Sequence, residues 1–204
     1  MTPLKSKIIV KAYLEQKESH QIKCDDGKVI NLYIGRKYAE NNREANPTVC
    51  EVISVPDNIT EVSVGDTLVV HHNLIGNQAS HIETDTEEQS VLLTICADFT
   101  VYAKILQNGT LQPVFGNLIA ERISKPSPFV SSVLVSPFEE TKEYEFKVLA
   151  VSEGEEDVKV GDTILCYKHS DYEMVYHFNN KEHRAIRIVK NDVLGIIQSV
   201  EYEA

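Results

Sequence analysis

Residues 51–67 read EVISVPDNITEVSVGDT, and residues 147–163 read KVLAVSEGEEDVKVGDT. The two segments align without a gap at an offset of 96, and both end in the motif V-x-V-G-D-T. In each segment an apolar run typical of a strand comes first, a polar turn follows, and the motif leads into another strand. We therefore expect Gly65 and Gly161 to adopt a turn conformation that favours glycine, followed by an aspartate that bonds to local backbone.

A second correspondence lies upstream of this motif. Residues 3–10 align with residues 113–120 at an offset of 110. Because the two offsets differ by 14, the first copy carries about 14 extra residues between its first strand and its V-x-V-G-D-T block. The closing apolar strands are also alike, since VYAKI at 101–105 resembles VLGII at 193–197. The chain thus contains the same plan twice.

The strand-like runs define the predicted fold class. Short segments rich in Val, Ile, Leu, Thr and Tyr are bounded by turn residues, and no long stretch keeps a helical period. We predict an all-β chain of two tandem repeats, 1–107 and 108–204, built as barrels or sandwiches. Each repeat has a long irregular segment after its first strand, roughly 16–46 and 124–144. Loops of this length are usually functional or disordered.

Composition and charge exclude several classes of protein. The 204 residues include 31 acidic and 20 basic side chains, giving a net charge of −11, spread evenly over both repeats. This acidity disfavours binding to duplex nucleic acid or to an anionic membrane surface. No apolar run is long enough to span a bilayer, and the N-terminus does not resemble a secretory signal. Four widely separated cysteines predict reduced thiols in a cytoplasmic protein.

Three segments resemble the GroES-type co-chaperonin family. Residues 3–11, PLKSKIIVK, are similar to the family's opening strand, P-L-x-D-R-V-I-V-K. Residues 147–162 resemble its central G-x-V-x-A-V-G and V-K-x-G-D segments, and residues 188–196 resemble its ending, I-L-A-I after an acidic residue. Each motif is weak alone, but the ordered set occurs twice and covers most of both repeats.

This resemblance implies a GroES-like small β-barrel in each repeat and a homo-oligomeric ring that caps a GroEL-type chaperonin during ATP-dependent protein folding. The segment after the first strand corresponds to the family's mobile loop, whose apolar tripeptide binds a groove on the chaperonin large subunit. The matching residues are Val133, Leu134 and Val135 in the second repeat, and Leu32, Tyr33 and Ile34 in the first, where the register is open. Taken alone, residues 133–135 would be an ordinary edge strand.

The resemblance also implies that nucleotide is bound by the chaperonin, so no cofactor or metal is expected on this chain. The expected location is the cytoplasm of a bacterium, or of an infected host cell if the chain is virus-encoded. Two features depart from the family pattern. Ser131 and Ser132 replace loop glycines, and the short turns after Val55 and Val151 leave no room for the family's roof hairpin, as in virus-encoded members.

Two other function classes remain to be weighed. The chain could be a non-catalytic structural module whose barrels self-associate without contacting a chaperonin. An enzyme is not predicted, since no nucleophile elbow, phosphate loop or dinucleotide fingerprint occurs. A metal site at His71, His72, His81 and Cys96 is not predicted either, because adjacent histidines on a strand would point to opposite faces.

Overall fold

A computed structural model describes residues 6–13, 19–23, 29–33, 48–74, 81–85, 88, 90–124, 141–179 and 181–197. The all-β prediction is confirmed, since antiparallel strands dominate and the described helices are single turns. The chain divides into two compact units, Met1–Val101 and Tyr102–Ala204. The division falls within one strand, a few residues before the repeat boundary proposed at 107/108. Within the described ranges, no helix is long and apolar enough to cross a bilayer.

The first unit contains one main sheet and a separate hairpin. Its strands are β1 (Lys7–Tyr13), β2 (Ser19–Lys23), β3 (Val29–Tyr33), β4 (Val49–Ser54), β5 (Thr67–Val70), β6 (His81–Asp85) and β7 (Ser90–Cys96). The sheet has the order β6-β7-β1-β4-β5, whereas β2 and β3 pair only with each other. A single-turn helix, α1 (Ala97–Thr100), follows β7.

The second unit repeats this arrangement. Its strands are β8 (Val101–Ile105, which begins at the division), β9 (Leu111–Pro113), β10 (Asn117–Ser124), β11 (Thr141–Val151), β12 (Thr163–Cys166), β13 (Tyr172–Phe178), β14 (Lys181–Val189) and β15 (Val193–Ile197). The main sheet has the order β13-β14-β10-β11-β12-β15, and β8 pairs with β9. A short 3₁₀ helix, Lys190–Asp192, precedes β15.

The pairing registers of the two sheets are equivalent. Val10 on β1 faces Val52 on β4, and Ala120 on β10 faces Val148 on β11. Ala120 lies 110 residues after Val10, and Val148 lies 96 residues after Val52, so the paired residues are those that the two sequence offsets align. Each of these strand pairs has an irregularity at the same place, just before Val10 and just before Ala120, and the β10–β11 pair has a second one between Arg122 and Ser124. The two five-strand arrangements therefore match in order, register and bulge.

The core of the second unit lies on one face of its sheet. Alternate residues of successive strands share it, as the period of two in a strand requires. The buried cluster consists of Leu118, Ala120, Phe146, Val148, Val158, Ile164, Cys166 and Ile188. Val158, the first valine of V-x-V-G-D-T, lies in the turn between β11 and β12 and packs into this core. Its counterpart Val62 is also buried, whereas Val64 and Val160 are exposed.

Candidate functional site

The predicted binding tripeptide of the second repeat, Val133, Leu134 and Val135, lies outside the described residues. The structure does describe both ends of the segment that carries it. Strands β10 and β11 pair as far as Ser124 opposite Thr141, so the intervening residues leave and re-enter the sheet at one place. The sequence places the tripeptide near the middle of that connection.

The segment of the first repeat contains regular structure that we did not expect. Leu32 and Tyr33 lie on β3 and pair with His20 and Ser19 of β2, whereas Ile34 lies outside the described residues. The prediction that residues 16–46 are irregular is therefore wrong for these two strands. Two β-prone runs flank Asp26-Gly27 in the sequence, and a D-G pair in this setting is a strong hairpin signal.

The V-x-V-G-D turns have the predicted conformation in both units. Gly65 has φ of +89° and Gly161 has φ of +95°, which is the left-handed region that favours glycine. The carboxylate of Asp66 accepts a hydrogen bond from the backbone N–H of Ser63 at 2.9 Å. Asp162 accepts the equivalent bond from the N–H of Lys159 at 2.8 Å. These residues build turns, as expected.

An ionic cluster that the sequence reasoning missed joins the second unit's turn to its 3₁₀ helix. Lys190 Nζ lies 2.9 Å from Glu155 Oε1 and 2.9 Å from Asp157 Oδ2. The Glu155 side chain is only 4% exposed, and Oε1 also accepts hydrogen bonds from the backbone N–H groups of Asp157 and Val158. Its partners are far apart in the sequence, so only the folded register brings them together.

The cluster shifts three pKa values in directions that stabilise the charges. Burial raises the pKa of Glu155, but hydrogen bonds from Lys190 and from two backbone N–H groups outweigh it and leave that pKa lowered. The hydrogen bond from Lys190 lowers the pKa of Asp157. Hydrogen bonds to Asp157 and Glu155 raise the pKa of Lys190. All three groups are therefore charged at neutral pH, and the arrangement fits a structural brace.

A surface cleft of about 680 Å³ lies beside this cluster. One wall is the turn from Glu156 to Thr163, and the other is the end of β15 at Ile196 and Ile197. Both isoleucines are exposed, as is Val160 at the tip of the turn. The cleft therefore combines charged and apolar side chains beside β15.

The histidines and cysteines of the described ranges are the next candidates for a chemical site. His71 and His72 follow the end of β5, and their rings stack 4.4 Å apart, so the expectation that they point to opposite faces is wrong. In the part of the chain that the structure describes, no group of three His, Cys, Asp or Glu side chains could hold a metal. Burial raises the pKa of the Cys50 thiol and raises that of Cys166 to about 11, so neither is a reactive thiolate.

Comparisons with known proteins add no assignment. A scan against models of protein families gives no match, and a search of curated proteins gives no significant match.

Proposed function

We propose that this chain is a GroES-type co-chaperonin of two tandem small β-barrels. In this proposal, several chains form a ring that caps a GroEL-type chaperonin, in the cytoplasm of a bacterium or of an infected cell, and assists ATP-dependent folding. The chain binds no nucleotide and performs no catalysis of its own. The ordered family-like motifs, present twice, support this proposal, as do the matching strand order and register of the two sheets.

The observation that carries the proposal is the position of residues 133–135. They lie in a connection whose two ends meet where Ser124 pairs with Thr141. An apolar tripeptide in a polar connection is a liability unless a partner buries it. In the proposed function, a groove on the chaperonin buries Val133, Leu134 and Val135.

The energetics suit a lid that binds and releases. Burying one of these side chains contributes about 1.5–3 kcal/mol, whereas ordering a flexible residue costs about 1–2 kcal/mol. A single loop therefore binds weakly. A ring presents several loops at once, and the high effective concentration makes the assembled lid bind tightly. Each contact can still release when the nucleotide state of the chaperonin changes.

The first repeat contributes a second contact of a different kind. Its candidate residues are Leu32, Tyr33 and Ile34, and the first two lie on β3 of a hairpin. Contact here would be made by a paired strand, whereas the second repeat would use an extended connection. The two repeats are therefore expected to differ in affinity.

Co-elution with a GroEL-type chaperonin tests this proposal. The wild-type chain should elute with the chaperonin in the presence of ATP or ADP, and Leu134→Asp should weaken binding at least tenfold, because a charge cannot enter an apolar groove. Leu149→Asp is the matched control, since Leu149 is an exposed leucine on β11 away from the connection. Equal binding by Leu134→Asp, or no binding by the wild type, would refute the proposal.

Limited proteolysis separates the co-chaperonin from a self-associating structural module. A co-chaperonin should be cleaved between β10 and β11, within residues 125–140, when alone and protected there when chaperonin and nucleotide are added. A structural module should resist cleavage in that segment under both conditions. The second pattern would favour the structural alternative.

A further inference from the structure

The turn between β8 and β9 carries the one asparagine–glycine pair of the sequence, Asn108-Gly109. Asn108 is exposed to solvent, and Gly109 is partly buried. In such a pair the backbone nitrogen of the glycine can attack the side-chain carbonyl carbon of the asparagine, because glycine has no Cβ to obstruct the approach. Each other asparagine of the chain is followed by a residue that carries a side chain. The sequence therefore concentrates this reactivity in one turn.

Backbone hydrogen bonds define the conformation of this turn. The N–H of Leu106 donates to the Thr110 carbonyl oxygen at 2.9 Å, and the N–H of Gly109 donates to the Leu106 carbonyl oxygen at 2.8 Å. Gly109 has φ of +82°, whereas Gln107 and Asn108 have negative φ. These features fit the three-residue hairpin loop in which a type I turn is followed by a glycine in the left-handed region.

Two hydrogen bonds of the turn act on the atoms that would react. Asn108 Oδ1 accepts from the N–H of Thr110 at 3.0 Å, which polarises the side-chain carbonyl and favours attack on its carbon. The attacking nitrogen must give up its proton, however, and that proton is bound by the Leu106 carbonyl oxygen. The second bond decides, because the Gly109 nitrogen is not available as a nucleophile until the turn opens.

The ring of Phe178 also restricts the turn. A Cβ on Gly109 would lie 3.5 Å from both Cδ1 and Cε1 of Phe178, so the aromatic ring at the end of β13 packs beside the glycine. Opening of the turn must separate these two groups. An exposed hairpin tip opens locally at a lower free-energy cost than the whole unit, so the turn can open while the sheet stays folded.

We propose that Asn108 is a site of spontaneous deamidation and that the β8–β9 turn gates the reaction. When the turn opens, the Gly109 nitrogen bonds to the side-chain carbonyl carbon of Asn108, its proton passes to the departing amide nitrogen, and ammonia leaves a cyclic imide. Water then opens the imide. Cleavage at the side-chain carbonyl gives aspartate, and cleavage at the backbone carbonyl gives isoaspartate, in which the backbone runs through the former side chain.

The two products should have different effects on the turn. Aspartate leaves the backbone unchanged and keeps an oxygen that accepts from the Thr110 N–H. Isoaspartate adds a methylene group to the backbone between Leu106 and Gly109, so the hydrogen bond between these residues cannot re-form in the same geometry. Formation of isoaspartate therefore leaves the turn open. This inference concerns the chain alone and does not depend on chaperonin binding.

Peptide mapping by mass spectrometry measures the reaction in the full chain. Folded chain and chain unfolded in guanidinium chloride are incubated at the same mildly alkaline pH. Asn108 should convert to aspartate and isoaspartate in the unfolded chain, and at least fivefold more slowly in the folded chain, because the Gly109 hydrogen bond must open first. The mapping separates this site from Asp26-Gly27, which can form the same imide.

Asn108→Gln is the matched control for this measurement, since its longer side chain closes the corresponding ring far less readily. It should abolish the conversion in both states. Equal rates in the folded and unfolded wild-type chain would overturn the gate. An unfolded chain that does not convert at Asn108 would overturn the site itself.

Loosening the turn tests whether the opening is local. Phe178→Ala removes the ring beside Gly109 and leaves the reacting atoms unchanged, so the folded chain should convert at least twofold faster and the unfolded chain at the wild-type rate. Hydrogen exchange of β11 should stay at the wild-type level. An unchanged folded rate, or a rise accompanied by faster exchange in β11, would contradict local gating.

Hydrogen exchange also tests the effect of the product. The isoaspartate form of the chain, separated by chromatography, is compared with Asn108→Asp, which has the same charge and an unaltered backbone. Exchange in residues 104–113 should be faster in the isoaspartate form than in Asn108→Asp or the wild type, because the bond between Leu106 and Gly109 is lost. Equal exchange in all three would overturn the claim that isoaspartate leaves the turn open.

Discussion

Two glycines set the backbone conformation of the V-x-V-G-D-T turns, the motif from which the repeat was predicted. Gly65 and Gly161 have positive φ, and a Cβ added to either would meet no atom within 4 Å. The requirement for glycine is therefore conformational and not steric. The N–H of each glycine also donates to the carbonyl oxygen of a core strand residue, Val52 at 2.9 Å or Val148 at 2.8 Å. The turn and the strand are thus held in one register.

Substitution of these glycines should therefore destabilise the fold through the backbone alone. Gly65→Ala and Gly161→Ala should each lower the free energy of unfolding by about 1–2 kcal/mol, since a Cβ disfavours the left-handed region. Gly195→Ala is the matched control, because Gly195 lies on β15 and its Cβ would also meet open space. Urea unfolding measures all three, and a control that loses as much as the turn variants would contradict this account.

At the scale of elements, the two units differ in the side chains that join the turn of the motif to the short helix before the closing strand. In the second unit, Lys190 of the 3₁₀ helix binds Glu155 and Asp157 of the turn. Their counterparts in the first repeat include Ile59 and Ala97, which cannot form ion pairs. The two units keep equivalent backbone hydrogen bonds at the turn and at the short helix. In the second unit, one of these runs from the N–H of Lys190 to the Gly116 carbonyl oxygen at 2.9 Å. The backbone plan is shared, whereas the Lys190–Glu155 contact uses charged side chains that Ile59 and Ala97 cannot supply.

Removing the brace should have a pH-dependent cost. Lys190→Met should lower the free energy of unfolding measurably at pH 7, because the Glu155 carboxylate loses its charged partner. The folded-state pKa values of Glu155 and Asp157 lie below their ordinary values of 4.5 and 3.8. Their contribution is therefore present above those values and is lost as pH falls through the lowered ones.

The contribution of Lys190 has the opposite sign. The pKa of Lys190 lies above the ordinary 10.5. Its contribution to the free energy of unfolding is therefore present below pH 10.5 and is lost as pH rises through the raised pKa. The difference in stability between wild type and Lys190→Met should be largest between about pH 5 and pH 10. Lys159→Met, which removes an exposed lysine of the same turn, should show little effect. A difference that persists unchanged at pH 3 would refute this role.

Sequence reasoning succeeded where a pattern was local or repeated. The motif at Gly65 and Gly161, the strand positions and the two offsets all reappear in the backbone bonds and pairing registers. It missed the β2–β3 hairpin, although Asp26-Gly27 signals it, because the long segment was compared with a family loop. It could not find the Lys190 cluster or the cleft beside β15, since both depend on which distant segments pack together.

At the scale of the whole molecule, the even acidity of the two repeats supports a lid that does not grip its cargo. The net charge of −11 is shared by both halves, so neither repeat is a basic module. In the proposed function, attachment is left to apolar residues of the loops.

Electron microscopy of a GroEL-type chaperonin incubated with this chain and nucleotide tests the central claim most directly. Wild-type chain should add a cap of density at the end of the chaperonin ring, and Leu149→Asp should add the same cap. Leu134→Asp should leave the ends bare while the variant keeps its own assembled mass. Bare ring ends with the wild-type chain, or a cap that survives Leu134→Asp unchanged, would contradict the account.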